Sequence, residues 1–282
     1  MMKPLDAANA DQADYWNGEA GRRWTALQES QDRLFAPITA ALFEAAAPRP
    51  GEAVIDVGCG AGETTLRAAA ATGSALGVDV SEPLLERARA RASAAGSPAR
   101  FALADATAYD FSGEAADLLI SRFGVMFFAD PAASFANLRR GLKASGRLAF
   151  VCWREPKLNP WLMLPYSAAV KHAPAPPRPG PEDPGPFAFA DETRAPHILA
   201  AAGFSDVTLT PLDFAIDVGV GEGLDNAVAK SLEIGPASRA LDGQPEAVRK
   251  AAEAEIRAAL AERVVGGAVP LAAAVWVVRA TA

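Results

Sequence analysis

Residues 53–69 read AVIDVGCGAGETTLRAA. An apolar run reaches Asp56, three glycines follow at alternate positions (Gly58, Gly60 and Gly62), and a helical pattern begins at Glu63. A buried strand that passes through glycines into a helix start brings bare backbone N–H groups close to a ligand. Glycine is required there for two reasons. It accepts a positive φ, and it has no side chain to obstruct close approach.

Outward from this turn, strands and helices alternate. SALGVDV (74–80) reads as a second strand that ends near Asp79, and EPLLERARARASAAG (82–96) as a helix capped by Ser81. ARFALAD (99–105) is a third strand ending at Asp105, ADLLISRFG (116–124) a fourth, and GRLAFVCW (146–153) a fifth. The alternation predicts an α/β chain with a parallel sheet covered on both faces. Before it, residues 14–47 carry the pattern of two helices. After Trp153, residues 154–190 hold many of the chain's 22 prolines, a density that regular elements exclude. This segment is expected to be an ordered, partly extended lid. Core structure resumes with a helix near 191–203, a strand near 206–218 and the final strand LAAAVWVVRA (271–280). The expected organisation is an N-terminal helical cover at 1–50, a ligand-binding core at 51–153, the proline-rich lid at 154–190, and the rest of the core at 191–282 with a helical insertion at 222–265.

The glycine spacing leaves the ligand open between nucleotide classes, and three departures narrow it. The dinucleotide fingerprint G-x-G-x-x-G would need glycine at position 63, which is Glu63, so the third glycine comes one place early. Asp56 precedes the turn, where a carboxylate would repel a pyrophosphate and favour a cation. Asp79 and Asp105 end the next two strands, positions suited to ribose hydroxyls and to the edge of an adenine ring. S-adenosylmethionine carries an ammonium, a sulfonium, a ribose and an adenine, and fits this pattern better than NAD. An NAD-type oxidoreductase and a non-catalytic S-adenosylmethionine-binding protein stand as the alternatives.

VIDVGCGAGETT, GVDVSEPLLERAR, LADAT and ADLLISRFGVMFF together resemble the successive motifs of class I S-adenosylmethionine-dependent methyltransferases. Within that family the chain is most similar to the group related to ubiquinone and menaquinone biosynthesis and other small-molecule methylation. The resemblance covers roughly residues 14–153; where the family has Lys-Pro-Gly-Gly, this chain has Lys-Ala-Ser-Gly at 143–146. It implies a Rossmann-like, doubly wound sheet of seven strands in the order 3-2-1-4-5-7-6 with strand 7 antiparallel. It also implies that Gly58, Gly60 and Gly62 lie at the methionine part of the cofactor, beside the cation that Asp56 would favour, with Asp79 and Val80 at the ribose, Asp105 and Ala106 at the adenine, and Ser121 with Arg122 at the methionyl and acceptor side.

On the acceptor side, His172 is the expected candidate base, because imidazole titrates near neutrality and the residue precedes the proline-rich run. Tyr166 and Glu155 are weaker candidates from the same segment, and Arg122 would orient an anionic acceptor. Tyr15, Trp16, Trp24, Phe123, Phe127, Phe128, Trp153, Trp161 and Tyr166 supply rings for an apolar pocket. The partner is therefore expected to be a small, partly apolar or aromatic acceptor. The net charge of −7 and the lack of a basic cluster argue against nucleic acid. Two isolated cysteines make neither a disulfide framework nor a zinc site, so no metal is expected. No run is long and apolar enough for stable membrane insertion, and the expected compartment is the cytoplasm.

Overall fold

The computed structural model describes residues 9–175, 180 and 182–282. The first eight residues of the expected N-terminal cover, and positions 176–179 and 181 of the expected lid, lie outside the described residues.

Seven strands form one sheet: β1 (Val54–Val57), β2 (Ala75–Asp79), β3 (Arg100–Leu103), β4 (Ala116–Arg122), β5 (Leu142–Trp153), β6 (Ser205–Asp217) and β7 (Pro270–Thr281). Their order is β3-β2-β1-β4-β5-β7-β6, as the family resemblance implied. β1 through β5 are parallel to one another, and β7 runs antiparallel to both β5 and β6. All four residues of β1 are buried, as expected for a central strand with helices on both faces. β6 lies at the sheet edge, which tolerates its Pro211 because one side of an edge strand needs no N–H donor. The chain leaves β1 toward β2 and β3, then returns to place β4 on the other flank of β1. This reversal opens a crevice beyond the carboxyl ends of β1 and β4, where such sheets hold ligands.

Four N-terminal helices precede the sheet, not two: α1 (Ala10–Asn17), α2 (Glu19–Ala26), α3 (Gln28–Leu34) and α4 (Ala36–Ala46). Single residues break them. Gly18 adopts an extended ψ of −150°, and Leu27 and Phe35 sit at ψ 6°. Such one-residue breaks barely disturb the helical periodicity, so the sequence pattern reads through them. The core helices α5 (Glu63–Thr72), α6 (Glu82–Ala94) and α7 (Pro131–Arg139) follow β1, β2 and β4. Ser81 sits at the N-cap of α6 but its hydroxyl donates to the Trp16 carbonyl at 2.7 Å. Asn17 Oδ1 takes over part of the cap by accepting from Glu82 N–H at 3.0 Å. These two bonds seat α1 on the start of α6.

The proline-rich segment contains helix α8 (Pro160–Ala169) where an extended path was expected. Pro160 occupies the first turn, where no hydrogen bond is lost, and Pro165 removes one internal bond only. Asn159, fully buried, fixes the start of this helix. Its amide donates to the carbonyls of Arg154, Glu155 and Ala274, and its oxygen accepts from Ala274 N–H. Helices α9 (Arg194–Ala201), α10 (Gly223–Glu233), α11 (Gly235–Leu241) and α12 (Glu246–Ala261) complete the chain, and α8 packs on α11 and α12. Among the described residues no helix is long and apolar enough to cross a membrane.

Candidate active site

The three glycines of the β1–α5 turn all have positive φ, 66° at Gly58, 53° at Gly60 and 83° at Gly62, but each for a different neighbour. A Cβ on Gly58 would lie 2.6 Å from the Gly124 Cα, so two backbones cross there in contact. A Cβ on Gly62 would press on the Ala88 methyl at 2.9 Å and on the Phe101 ring at 3.1 Å, so this glycine serves helix packing. A Cβ on Gly60 would meet nothing within 4 Å, and Gly60 borders the cavity described below. Only Gly60 combines cavity exposure with open space.

Asp79 closes the turn from the neighbouring strand. Its Oδ2 accepts from Gly60 N–H at 2.8 Å and its Oδ1 from Ser81 N–H at 2.9 Å. Burial raises its pKa above the ordinary carboxylate value, against the opposing pull of these backbone donors. Asp105 ends the third strand region and accepts from the Asn9 amide at 3.1 and 3.2 Å and from Thr107 N–H at 2.9 Å. Gly58, Gly60, Asp79, Val80, Asp105, Ala106 and Arg122 all border a single cavity of about 230 Å³.

Four expected site residues do not border it. Gly62 turns toward α6, as above. Ser121 is fully buried; its hydroxyl donates to the Val57 carbonyl at 2.7 Å and accepts from Gly124 N–H at 3.1 Å, tying the ends of β1 and β4 together. Asp56 lies beneath the turn, with both Thr64 and Thr65 hydroxyls donating to its Oδ2 at 2.6 Å and its Oδ1 without a partner among the described residues. Burial lifts its pKa to about 6, although the two hydroxyls pull it down. The expectation that Asp56 faces a ligand cation is therefore corrected: the side chain points at the first turn of α5. His172 is the fourth. Its Nε2 lies 3.9 Å from Glu255 of α12, away from the cavity, because α8 carries it past the crevice onto the helical insertion. Tyr166 and Glu155 do not border the cavity either. His172→Ala is expected to cost less than about 1 kcal/mol in urea unfolding, as for other exposed polar contacts, and to leave ligand affinity within twofold. A larger loss of affinity would return His172 to the site.

Arg122 is anchored through one of its guanidinium nitrogens. Its Nη1 donates to Glu63 Oε2 at 2.5 Å and to Thr39 Oγ1 at 2.7 Å, and Thr39 in turn donates to Glu63 at 3.1 Å. The guanidinium sits 5.7 Å from the Phe35 ring centroid. Cys59 also borders the cavity; burial, with help from Asp79 and Asp56, pushes its thiol well above the usual range and keeps it protonated.

Rings form the rest of the wall. Trp16 touches Phe127 and Trp24, at centroid distances of 5.8 and 5.6 Å, and Trp24 stacks on Phe35 at 6.4 Å. Phe35 then meets Trp161 at 5.9 Å and Phe123 at 5.6 Å, while Phe123 lies flat on Trp153 at 4.3 Å. Phe123 has a φ of 70°, a conformation strained for an aromatic residue and held here by that stacking. Of the expected rings, Tyr15 and Tyr166 stay outside the cavity.

Sequence reasoning missed one whole wall. Gln28, Gln31, Asp32 and Phe35 border the cavity from α3 and the bend after it, with Thr39 one turn further on toward Arg122. Their spacing of three and four residues is a single helical face. Asn9, Gln12 and Trp16 do the same from α1. The periodicity was legible, but polar residues at that spacing also describe a solvent-facing stripe. Two long-range contacts close the cover over the cavity: Arg23 of α2 donates to Ser238 of α11 at 3.2 Å, and Arg239 donates to the Tyr15 hydroxyl at 3.2 Å.

Residues 54–146 match the family model of a methyltransferase domain. An uncharacterized protein of Mycobacterium tuberculosis (strain ATCC 25618 / H37Rv) is 33% identical over 122 residues, which is 43% of this chain and 44% of that protein. The chain thus spans less than half the length of such curated relatives. Nocamycin O-methyltransferase of Saccharothrix syringae is 29% identical over 186 residues, 62% of this chain and 66% of that one. Among solved structures, geranyl diphosphate C-methyltransferase from Streptomyces coelicolor A3(2), in complex with Mg2+, geranyl diphosphate and S-adenosyl-L-homocysteine, superimposes with a TM-score of 0.57. That likeness covers 99% of each chain at 17% identity and concerns the fold.

Proposed function

We infer, from a chain whose residues 54–146 match the family model of a methyltransferase domain, that the cavity binds S-adenosylmethionine and that the protein transfers its methyl group to a small molecule. The observation that carries this reading is the meeting of Gly60, Asp79 and Asp105 around one cavity, at the ends of three adjacent strands. Their chemistry fits the group. Gly60 leaves backbone clear for close approach, and Asp79 and Asp105 supply acceptor oxygens for ribose hydroxyls and for an adenine amine. The charged side chains that border the cavity are Asp32, paired with Arg91, Glu63, paired with Arg122, and Asp79 and Asp105, which have no ion-pair partner among the described residues. Such a wall favours a ligand with sulfonium and ammonium charges and opposes the pyrophosphate of a dinucleotide. The name of the Saccharothrix relative supports the same chemistry.

When bound, S-adenosylmethionine supplies an electrophilic methyl carbon on a sulfur that leaves readily. The protein's part is then orientation and exclusion of water. The ring chain from Trp16 to Trp153 supplies a dry wall for an acceptor, and the turn around Gly60 holds the donor end. The N-terminal helices, α8 and the segment α10–α12 act as the cover that selects the acceptor, with Trp161, Leu162, Ile234 and Pro236 as its cavity-facing side chains. Titration calorimetry with S-adenosylmethionine, S-adenosylhomocysteine and NAD tests the assignment. Binding of both adenosyl compounds without NAD is expected; binding of NAD alone would overturn it.

A further inference from the structure

The glycine turn beside the cavity is held from three sides. Gly60 N–H donates to Asp79, and Gly62 N–H donates to the Cys59 carbonyl. Between them, the Ala61 carbonyl accepts from Nη1 of Arg91, on α6, at 2.7 Å. Nη2 of the same guanidinium donates to Asp32 Oδ2 at 2.7 Å, and Asp32 also accepts from Gln28. One planar group thus joins the turn to the α3 wall. Ala61, Asp32 and Gln28 border the cavity, and Arg91 does not. Arg91 therefore acts on a ligand only through the groups it holds. One helical turn earlier, Arg87 donates to Gln28 Oε1 at 3.1 Å and to Glu29 at 3.4 Å. The Arg87 side chain is 40% exposed against 21% for Arg91, and among the described residues it makes no bond to the turn.

A turn with three glycines is soft, and ordering it on binding would be drawn from the affinity of whatever binds there. Fixing the Ala61 carbonyl fixes the whole peptide plane beside Gly60, because that plane is rigid. The guanidinium suits the task. It presents its N–H groups in a fixed fork and reaches two acceptors at a set separation, whereas a lysine ammonium is a point charge on a flexible stem. In the reading above, Asp79 and Asp105 serve the ribose and the adenine. The amino-acid end of the donor is then left for the side of Gly60, Ala61 and Asp32. Asp32 is neutralised there by Arg91. A wall without net charge suits an amino acid that carries both an ammonium and a carboxylate.

We propose that Arg91 is a positioning residue for the methyl donor: its fork holds the Gly60–Gly62 turn and the α3 wall at one separation, and the amino-acid end of the donor is bound between them. The proposal rests on the methyl-transfer reading above. It makes donor binding depend on the docking of an N-terminal helix through a side chain that the donor never touches.

The test is calorimetry on the full chain with S-adenosylmethionine, S-adenosylhomocysteine and 5′-methylthioadenosine, which keeps the adenosine and the sulfur but lacks the amino acid. Arg91→Met is expected to weaken the first two at least about tenfold and methylthioadenosine less than about twofold. Arg91→Lys keeps the charge without the fork and should stay at least about threefold weaker than the wild type for the first two. Asp32→Asn should weaken them as well, and the double variant with Arg91→Met should lose less than the two single losses combined, because both cut one link. Arg87→Met is expected to stay within about twofold for all three ligands. Equal losses for all three ligands in Arg91→Met would mark a general structural role and overturn the proposal. So would unchanged affinities, an Arg91→Lys protein that binds like the wild type, additive losses in the double variant, or an equal loss in Arg87→Met. If Arg91→Met does not fold, Arg91→Lys and Asp32→Asn carry the same comparison between ligands. A native chain that binds neither S-adenosylmethionine nor S-adenosylhomocysteine would instead overturn the methyl-transfer reading itself.

Discussion

Gly60→Ala is expected to keep most of its stability and to lose the methyl donor, while Gly58→Ala is expected to lose stability. The two residues lie two apart in one turn, and both have positive φ. At Gly60 the new methyl meets nothing within 4 Å, so the cost is the left-handed backbone alone, about 1–2 kcal/mol. The methyl then stands at the cavity wall where a ligand would approach the backbone. Loss of that contact is expected to weaken S-adenosylmethionine roughly 100-fold, about 2.7 kcal/mol. At Gly58 the same backbone strain is joined by a 2.6 Å collision with the Gly124 Cα, which cannot rotate away. Overpacking of that kind adds about 1–3 kcal/mol, for a total of roughly 2–5. Gly62→Ala should resemble Gly58→Ala in stability, because its methyl strikes Ala88 and Phe101, and should resemble the wild type in donor affinity. Urea unfolding and calorimetry on the three variants separate these outcomes. Equal behaviour of all three would mean that the turn acts as one unit.

Asp56→Asn is expected to change how stability depends on pH. The Asp56 carboxyl has its pKa lifted from 3.8 to about 6 by burial, so between those values the native chain holds a proton that the unfolded chain releases. More protons bound in the native state means that stability falls as pH rises through this window. The group is therefore least costly below about pH 4 and most costly above pH 6, with a total change of roughly 3 kcal/mol. The asparagine variant lacks this dependence. Measured by urea unfolding, its stability relative to the wild type should climb by up to about 1.4 kcal/mol per pH unit between pH 4 and 6, then level. Glu52 and Asp117, whose pKa values are lowered by Arg147 and Lys143, slope the other way in both proteins and cancel in the difference. Parallel stability curves for the two proteins would show that Asp56 is ionised throughout.

The sheet was legible in the sequence because its central strands are uninterrupted apolar runs punctuated by glycine and aspartate, a pattern that burial on both faces enforces. Gly60, Asp79 and Asp105 were legible as cavity-lining residues because they stand at the carboxyl edge of the sheet, around the glycine turn. Asp56 and Ser121 were misread as ligand-facing because strand position does not reveal which side of a turn a side chain takes. Asp56 faces two threonines of α5, and Ser121 faces the Val57 carbonyl. His172 was chosen on chemistry and nearness in sequence to a proline-rich run, and the helix inside that run carried it elsewhere. The wall formed by Gln28, Gln31 and Asp32 was invisible for a different reason. A polar helical face reads as solvated until something is known to cover it, and what covers it here starts just over 200 residues later with the segment from Ile234 to Pro236.

Asn9 gives the site one more property. Its amide holds both oxygens of Asp105, at 3.1 and 3.2 Å, and its own oxygen accepts from Ala129 N–H at 3.4 Å. A molecule that donates hydrogen bonds to Asp105 competes for these oxygens with the Asn9 amide. The first helix thus behaves as a tethered competitor, present at a fixed local concentration however dilute the protein. Occupancy becomes an exchange, and a measured affinity reports the difference between two sets of contacts rather than the strength of either.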